Sequence, residues 1–411
     1  MLATAAIDII RSTVPLLETH GEAITKRFYE QMFAAHPELL NIFNHANQKQ
    51  GRQQAALANA VYAAAVHIDR LEQILPVVKQ IAHKHRSLGV KPEHYPIVGH
   101  HLLAAIKDVL GEAATEEVLA AWAEAYGVIA DAFIGVEADM YAAAERQQGG
   151  WEEFRPFIIA KKVPESSVIT SFYLQPEDGK AIAVFEPGQY ISVKLSIPGE
   201  VNTHIRQYSL SDAPGKPYYR ISVKREDAAK DKPAGIVSNY LHQQLAEGDR
   251  LLLSAPAGDF TLGRIAKPEL SRPLVFISGG VGITPLMSML LHLQQTEPER
   301  KVTFIHAALD GQTQAMREDM VALAENNAQL TVHFCYQRPT VEDKRSANFS
   351  KEGRIDLPWL QTVIPAAPYE ASYYCCGPVP FMKQIYNDLG KLGVPAEQIH
   401  YEFFGPAGKL E

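Results

Sequence analysis

Apolar residues recur at three- and four-residue spacing from the N-terminus to about residue 140, in a stretch rich in Ala, Leu, Glu and Gln, so this part is expected to be all helix. Gln147-Gln148-Gly149-Gly150 then breaks the pattern as a polar hinge. After Trp151 short β-branched and aromatic runs appear, at 157–160, 168–174, 190–195 and 218–223, separated by Pro and Gly. They predict a small antiparallel sheet or barrel reaching to about residue 262. From Arg272 onward, strand-like runs at 273–278, 301–306 and 330–335 alternate with helical ones, a doubly wound α/β pattern that continues to the C-terminus. The expected division is a helical domain at 1–138, a linker at 139–150, a β domain at 151–262 and an α/β domain at 263–411.

Composition narrows the partners. The 411 residues, 46% of them hydrophobic, can fill several cores. A net charge of -8 and a pI near 6.0 argue against nucleic-acid binding. The three cysteines, Cys335, Cys375 and Cys376, form no CxxC pair and no disulfide framework, which fits a reducing cytosol. The N-terminus lacks a basic region ahead of its apolar stretch, so no signal peptide is expected. No run of about 18 apolar residues suggests a membrane span. The expected location is cytoplasmic.

His85 carries the first chemical signal. At helical spacing Val77, Val78, Ile81, His85 and Leu88 share one face, and the helix should stop at Gly89, with Pro92 beyond. His83 falls off that stripe. A lone His on an apolar face is more often a satisfied core histidine than a metal ligand. Here it is accompanied by Tyr29 on an earlier helix, Phe43 at a helix-to-loop transition, and Gln53 and Leu57 one helical turn apart. In order and spacing these residues resemble a globin over about residues 1 to 138. The resemblance implies haem b ligated by His85, packed by Phe43, with Tyr29, Gln53 and Leu57 in the distal pocket.

Arg206-Gln207-Tyr208-Ser209 ends a strand of the β region. Arg206 can pair with a pyrophosphate, Tyr208 offers a flat face to an isoalloxazine, and Ser209 can hydrogen-bond the flavin N5 edge. Gly235-Ile-Val-Ser238 opens the helix that follows, where free N–H groups and the dipole favour phosphate; the plain alternative is an N-cap serine. Tyr190 follows Pro187-Gly-Gln. These residues resemble the flavin site of the ferredoxin–NADP reductase superfamily and imply FAD.

The run 274–278 leads into Gly279-Gly280-Val281-Gly282-Ile283-Thr284-Pro285 and then a helix expected to begin at Leu286. Strand, glycine-rich turn and helix together let backbone approach a pyrophosphate. Cys376-Gly377-Pro378, after the run 372–375, resembles the segment placed near the nicotinamide in the same superfamily; on its own Cys376 reads as a small buried residue. No Arg cluster follows the second strand at 308–312, which favours NADH over NADPH. At the end of the last strand Glu402, Phe403, Phe404, Gly405 and Pro406 are candidate flavin contacts, with Glu402 placed by the resemblance between flavin and haem.

Globin, FAD domain and NAD domain in one chain resemble the flavohaemoglobins nearly end to end. That implies nitric oxide dioxygenation: electrons pass from NAD(P)H through FAD to haem, and O2 and NO become nitrate. Anaerobic NO reduction or hydroperoxide reduction are expected side activities. The electron logic agrees, since a flavin converts two-electron hydride transfer into single-electron steps. Three scattered cysteines cannot supply the four ligands of an iron–sulfur acceptor. The family match makes Glu137 and Tyr95 hydrogen-bond partners of His85, while Tyr29, assisted by Gln53, would donate to bound O2. Lys84 borders the haem and is a candidate partner of a propionate or of Glu402. Expected partners are O2, NO and NAD(P)H, with a lipid as a possible occupant of the distal pocket, and the chain is expected to be a monomer.

Overall fold

A computed structural model of the chain describes residues 2–43, 48, 51–229, 232–262 and 272–405. The N-terminal region is helical as its periodicity predicts. It comprises α1 (Thr4–Ala35), a 3-10 turn (Pro37–Asn41), α2 (Arg52–Val66), α3 (Leu75–Leu88), α4 (His94–Leu110) and α5 (Glu116–Arg146). The α1 face Ile10, Leu17, Ile24, Phe28 and Met32 packs in one cluster with Leu102, Ala105 and Ile106 of α4 and Ala121, Trp122 and Ala125 of α5. Thr115 caps α5 by accepting from Val118 N at 3.3 Å, and Glu116 and Glu117 meet the positive end of the dipole. Helix α3 stops where Gly89 takes a left-handed φ of 79°.

Two expectations change here. Helix α5 runs on through residues 139–146, so most of the expected linker is helix. Its Ala-rich last turns are good helix formers, and Tyr141 ties them down by donating to Val90 O at 2.8 Å. The same helix is long and apolar enough, by length and composition, to cross a membrane. A search for one unbroken apolar run misses this because Glu124, Asp131, Glu137 and Asp139 interrupt it. In this fold Ala121, Trp122 and Ala125 insert it into the helical core.

The β region forms a six-stranded sheet of order β4-β3-β6-β1-β2-β5, from β1 (Arg155–Pro164), β2 (Ile169–Pro176), β3 (Tyr190–Leu195), β4 (His204–Ser209), β5 (Tyr219–Lys224) and β6 (Arg250–Leu253). The pairs β1/β2, β1/β6 and β2/β5 are antiparallel. Helix α6 (Ile236–Gln243) is closed at its C-terminal end by Lys162 of β1, whose ammonium donates to the carbonyls of Leu241, His242 and Leu245. Burial pushes the Lys162 pKa down, yet three acceptors at the negative end of a helix hold the charge. Lys162→Met should lower the thermal transition that releases flavin, by a loss of about 2 kcal/mol, the scale of hydrogen bonds to a charged group. An unchanged flavin-fluorescence melting curve would show that these carbonyls find other donors.

The C-terminal sheet is parallel, of order β10-β9-β8-β7-β11-β12, from β7 (Leu274–Gly279), β8 (Val302–Ala308), β9 (Leu330–Tyr336), β10 (Lys351–Glu352), β11 (Ser372–Cys376) and β12 (Ile399–Glu402). The order in which the chain adds strands reverses between β7 and β11, so the crevice at their carboxyl ends is where a ligand of such a sheet sits. Successive β7 residues face opposite cores: Leu274 and Phe276 one, Val275 and Ile277 the other. Cys335, Cys375 and Cys376 lie in β9 and β11, buried and unpaired.

By compactness the chain divides into two units. One holds Met1–Phe154 and Ser192–Arg206, the other Arg155–Ile191 and Gln207–Phe404. The expected FAD and NAD regions share a unit because both bury side chains in one cluster, Ile169 and Phe260 packing with Phe276, Leu286 and Tyr374.

Candidate active site

In the helical unit His85 Nδ1 lies 2.8 Å from Glu137 Oε1 and 3.2 Å from Tyr95 Oη, and Tyr95 donates to the same Glu137 oxygen at 2.7 Å. Glu137 is 3% exposed and Tyr95 9% exposed, so this carboxylate exchanges water for two protein donors. Burial, reinforced by Glu137, pushes the Tyr95 phenol far up, so it remains an O–H donor. The carboxylate therefore fixes His85 with its proton on Nδ1 and leaves the Nε2 lone pair open. Among the residues near His85, Phe133 lies 5.7 Å away, ring to ring.

Side-chain positions along α3 correct one expectation. Val78 and Ala82 are buried and Ile81 is half-buried, but Val77, in the first turn, is 49% exposed. Arg86, unremarkable in sequence, is 5% exposed. Lys84 donates to Gly405 O at 2.7 Å.

Tyr29 is buried, with the Phe33 ring at 5.6 Å and the Phe43 ring at 5.8 Å. Phe43 and Leu57 are half-buried against the same cluster. Burial raises the Tyr29 pKa, with the Gln48 and Gln53 amides working against it. Gln48 was not singled out by sequence. A haem fits these residues: His85 keeps 32% of its side chain exposed although its carboxylate partner is enclosed, and the same unit supplies a buried tyrosine with half-buried Phe43 and Leu57 beside it.

The expected flavin residues lie as follows. Arg206, Gln207, Tyr208 and Ser209 are on β4, with the first three half-buried and Ser209 buried. Tyr190 pairs with Ala257 and covers Gly258, whose φ is 111° and where a Cβ would come within 2.9 Å of the tyrosine ring. Helix α6 starts two residues earlier than expected. Gly235 is its N-cap, and Ser238 sits in the first turn, where its Oγ donates to Gly235 O at 3.3 Å and accepts from Glu226 N at 3.1 Å. A Cβ on Gly235 would lie 2.8 Å from Ser238 Oγ. The glycine thus leaves an uncrowded helix start of the kind that receives phosphate, and FAD fits this set.

Gly279 ends β7, Gly280 has φ 55°, and α7 (Ile283–Thr296) begins at Ile283, three residues before the expected Leu286. A Cβ on Gly282 would lie 2.2 Å from Cys376 O, and one on Gly377 would lie 2.8 Å from the Phe381 ring. The two segments, remote in sequence, lie backbone to backbone at the switch point, and a dinucleotide fits there. Thr284 Oγ1 donates to Val281 O at 3.0 Å. Beneath the turn Ser278 Oγ and His306 Nδ1 are hydrogen-bonded at 2.7 Å. Complete burial holds the His306 pKa down to about 3, so its ring stays neutral. Register places Glu402 opposite Cys376, and Glu402 Oε1 accepts from Phe403 N at 2.8 Å. Phe403 packs against Tyr401, while Phe404 is 48% exposed. Pro406 lies outside the described residues.

Comparison with known proteins finds three families along the chain. Residues 26–133 match the globin family, 156–262 the oxidoreductase FAD-binding domain and 276–387 the oxidoreductase NAD-binding domain. The chain is 60% identical over 411 residues to a flavohemoprotein of Bacillus cereus, covering all of both chains. It is 55% identical to the flavohemoprotein of Bacillus subtilis, covering 99% of this chain and 98% of that one. A flavohemoglobin crystal structure from Malassezia yamatoensis, with bound FAD and heme, superposes with a TM-score of 0.83 at 28% identity, covering 98% of this chain and all of the other. With a full-length relative at 60% identity, and with a carboxylate-held histidine, a flavin strand and a nucleotide turn in one polypeptide, the chain belongs to the flavohaemoprotein family.

Proposed function

We infer that this protein is an NAD(P)H-dependent nitric oxide dioxygenase, which uses O2 to convert NO to nitrate. The observation that carries the reading is the 2.8 Å contact between His85 Nδ1 and a buried carboxylate. A carboxylate on the far nitrogen of a ligating imidazole raises its basicity, which suits O2 activation better than reversible storage. The reductase half speaks the same way, because an oxygen store has no use for it. The FAD/NAD-binding domain of a Vibrio cholerae nitric oxide dioxygenase superposes with a TM-score of 0.55 at 35% identity, covering 62% of this chain and all of that one.

When bound, haem supplies an O2-binding iron, NAD(P)H a hydride, and FAD the conversion of that hydride into single electrons. The chain's residues hold and orient these groups. Gly279–Gly282 and the start of α7 would receive the pyridine nucleotide, with Cys376 and Glu402 as further candidate contacts. Arg206, Gly235 and Ser238 would hold the flavin phosphates, and Tyr190, Tyr208 and Ser209 would contact its ring. His85 would ligate the haem iron through Nε2, with Glu137 and Tyr95 holding its Nδ1 proton, and Tyr29 would donate to the bound ligand. Three buried, unpaired cysteines support a cytosolic location.

Anaerobic stopped-flow absorbance of the purified protein mixed with NADH tests the reading. Flavin bleaching should precede the ferric-to-ferrous haem shift, and O2 with NO should then restore ferric haem and yield nitrate. Flavin bleaching with no haem reduction, or NO consumption without nitrate, would overturn it.

A further inference from the structure

The stretch Ser192–Arg206, from β3 to β4, is compact with the helices rather than with the rest of its own sheet. Polar contacts at both of its ends account for this. Ser192 and Ser87 are both fully buried, with their oxygens 3.0 Å apart. Ser87 Oγ donates its one proton to Lys84 O at 2.9 Å, so Ser192 is the donor between the two serines. Ser87 stands two residues after His85 on α3. At the other end Thr203 N donates to Asn41 Oδ1 at 2.8 Å, and Thr203 Oγ1 donates to Asn41 O at 3.2 Å. Asn41 Nδ2 donates to Glu38 O at 2.9 Å, so backbone partners on both sides fix which way this amide points. Asn41 stands two residues before Phe43.

The same two strands carry candidate flavin residues. Side chains alternate along a strand, so Tyr190, Ser192 and Lys194 share one face of β3 while Ile191, Val193 and Leu195 are buried on the other. Two residues along a strand span about 7 Å. Tyr190 is thus that close, along one face, to a serine bonded to the His85 helix. On the other arm Arg206 follows Thr203 by three residues. Each arm therefore joins a flavin residue to a segment that carries a haem residue, His85 in one case and Phe43 in the other.

We propose that the β3–β4 hairpin couples the two cofactor sites. FAD held at Tyr190 and Arg206 orders the hairpin, and the hairpin, through Ser192 and Asn41, holds the His85 helix and the Phe43 turn in place for haem. A second ligand that finds a shared segment already ordered meets a smaller entropic cost, so FAD and haem tighten each other's binding. Ser192 and Asn41 act here as positioning residues. The proposal rests on the flavohaemoprotein reading of the two sites, but its test does not need NO turnover.

The test uses the full-length chain with both cofactors, with either one and with neither. FAD affinity, read by equilibrium dialysis, should be about fivefold or more tighter when haem is bound, and haem affinity should rise by the same factor when FAD is bound, because coupling between two binding free energies is reciprocal. Ser192→Ala combined with Asn41→Ala should bring that factor close to one while FAD affinity of the haem-free protein stays unchanged. Asn41→Asp, which keeps the oxygen that Thr203 N donates to, should preserve most of it. In the haem-free wild-type chain, FAD should slow hydrogen exchange at the amides of residues 41–43 and 85–88. Equal FAD affinity with and without haem, or a factor that survives the double substitution, would overturn the proposal. Should the double variant fail to fold, the exchange measurement decides, and no FAD-dependent protection at those amides sinks the idea. Independent binding of the two cofactors in a protein that still makes nitrate would refute the coupling and leave the dioxygenase reading; coupled binding without nitrate would do the reverse.

Discussion

His85→Ala is expected to produce a yellow protein: flavin retained, haem absorbance lost, NO consumption gone, and NADH-driven reduction of ferricyanide unchanged. His85 belongs to the helical unit, whereas the nucleotide turn belongs to the other, so removing the imidazole removes the acceptor and not the donor. A variant that kept its haem absorbance would deny His85 the role of ligand. Glu137→Gln asks a finer question. The amide oxygen can still accept from His85 Nδ1 and Tyr95 Oη, so the geometry survives and only the charge goes. Partners of a metal-bound histidine are typically worth about tenfold to a hundredfold in activity. Turnover should fall by that much at normal haem content, with a lower iron–histidine stretching frequency. Wild-type turnover at an unshifted frequency would show that the charge is not used.

Gly282→Ala should act at the other end of the electron path. Its Cβ would lie 2.2 Å from Cys376 O and 2.5 Å from Cys376 C, and these are backbone atoms that cannot swing aside. The turn must separate from the Cys376-Gly377 segment by close to an ångström, a displacement that can cost about a hundredfold in a positioned reaction. The rate of flavin bleaching by NADH should drop on that scale, while dithionite still reduces the flavin. Gly280→Ala is the control. Its Cβ would meet open space, so the cost is confined to a left-handed φ of 55°, about 1 to 2 kcal/mol. Equal effects from the two substitutions would mean that glycine here serves backbone freedom and not close approach.

What could be read from sequence depended on how local each signal was. The His85 helix and its end at Gly89 follow from spacing and one glycine. The nucleotide turn follows from three glycines between a strand and a helix. Glu137 was reached only through the family resemblance, and the apolar Phe133, Ile134 and Val136 around it agree with its burial. Gln48 offered no contrast with its neighbours: in a stretch with four glutamines, a lysine and an arginine, an inward amide looks like a solvated one. The placement of Glu402 against Cys376 arises from parallel pairing between strands that one helix separates, and register of that kind leaves no trace in either segment. The true end of α5 was obscured because a polar Gln-Gln-Gly-Gly segment marks where the chain must turn by, not where the helix first could stop. A capping Ser238 was the plain alternative because serine favours that place, yet Gly235 occupies it.

The burial of the three cysteines has a chemical consequence. Nitrosation and oxidation of cysteine proceed through the thiolate. Burial lifts the Cys335 thiol to about 12, and Cys375 and Cys376 are pushed up as well, the latter with help from Glu402. A protein whose substrate and by-products attack sulfur thus holds every one of its sulfhydryls in the inert form. The folded enzyme should resist S-nitrosation and thiol-labelling reagents through many turnovers, with its cysteines becoming reactive only in denaturant.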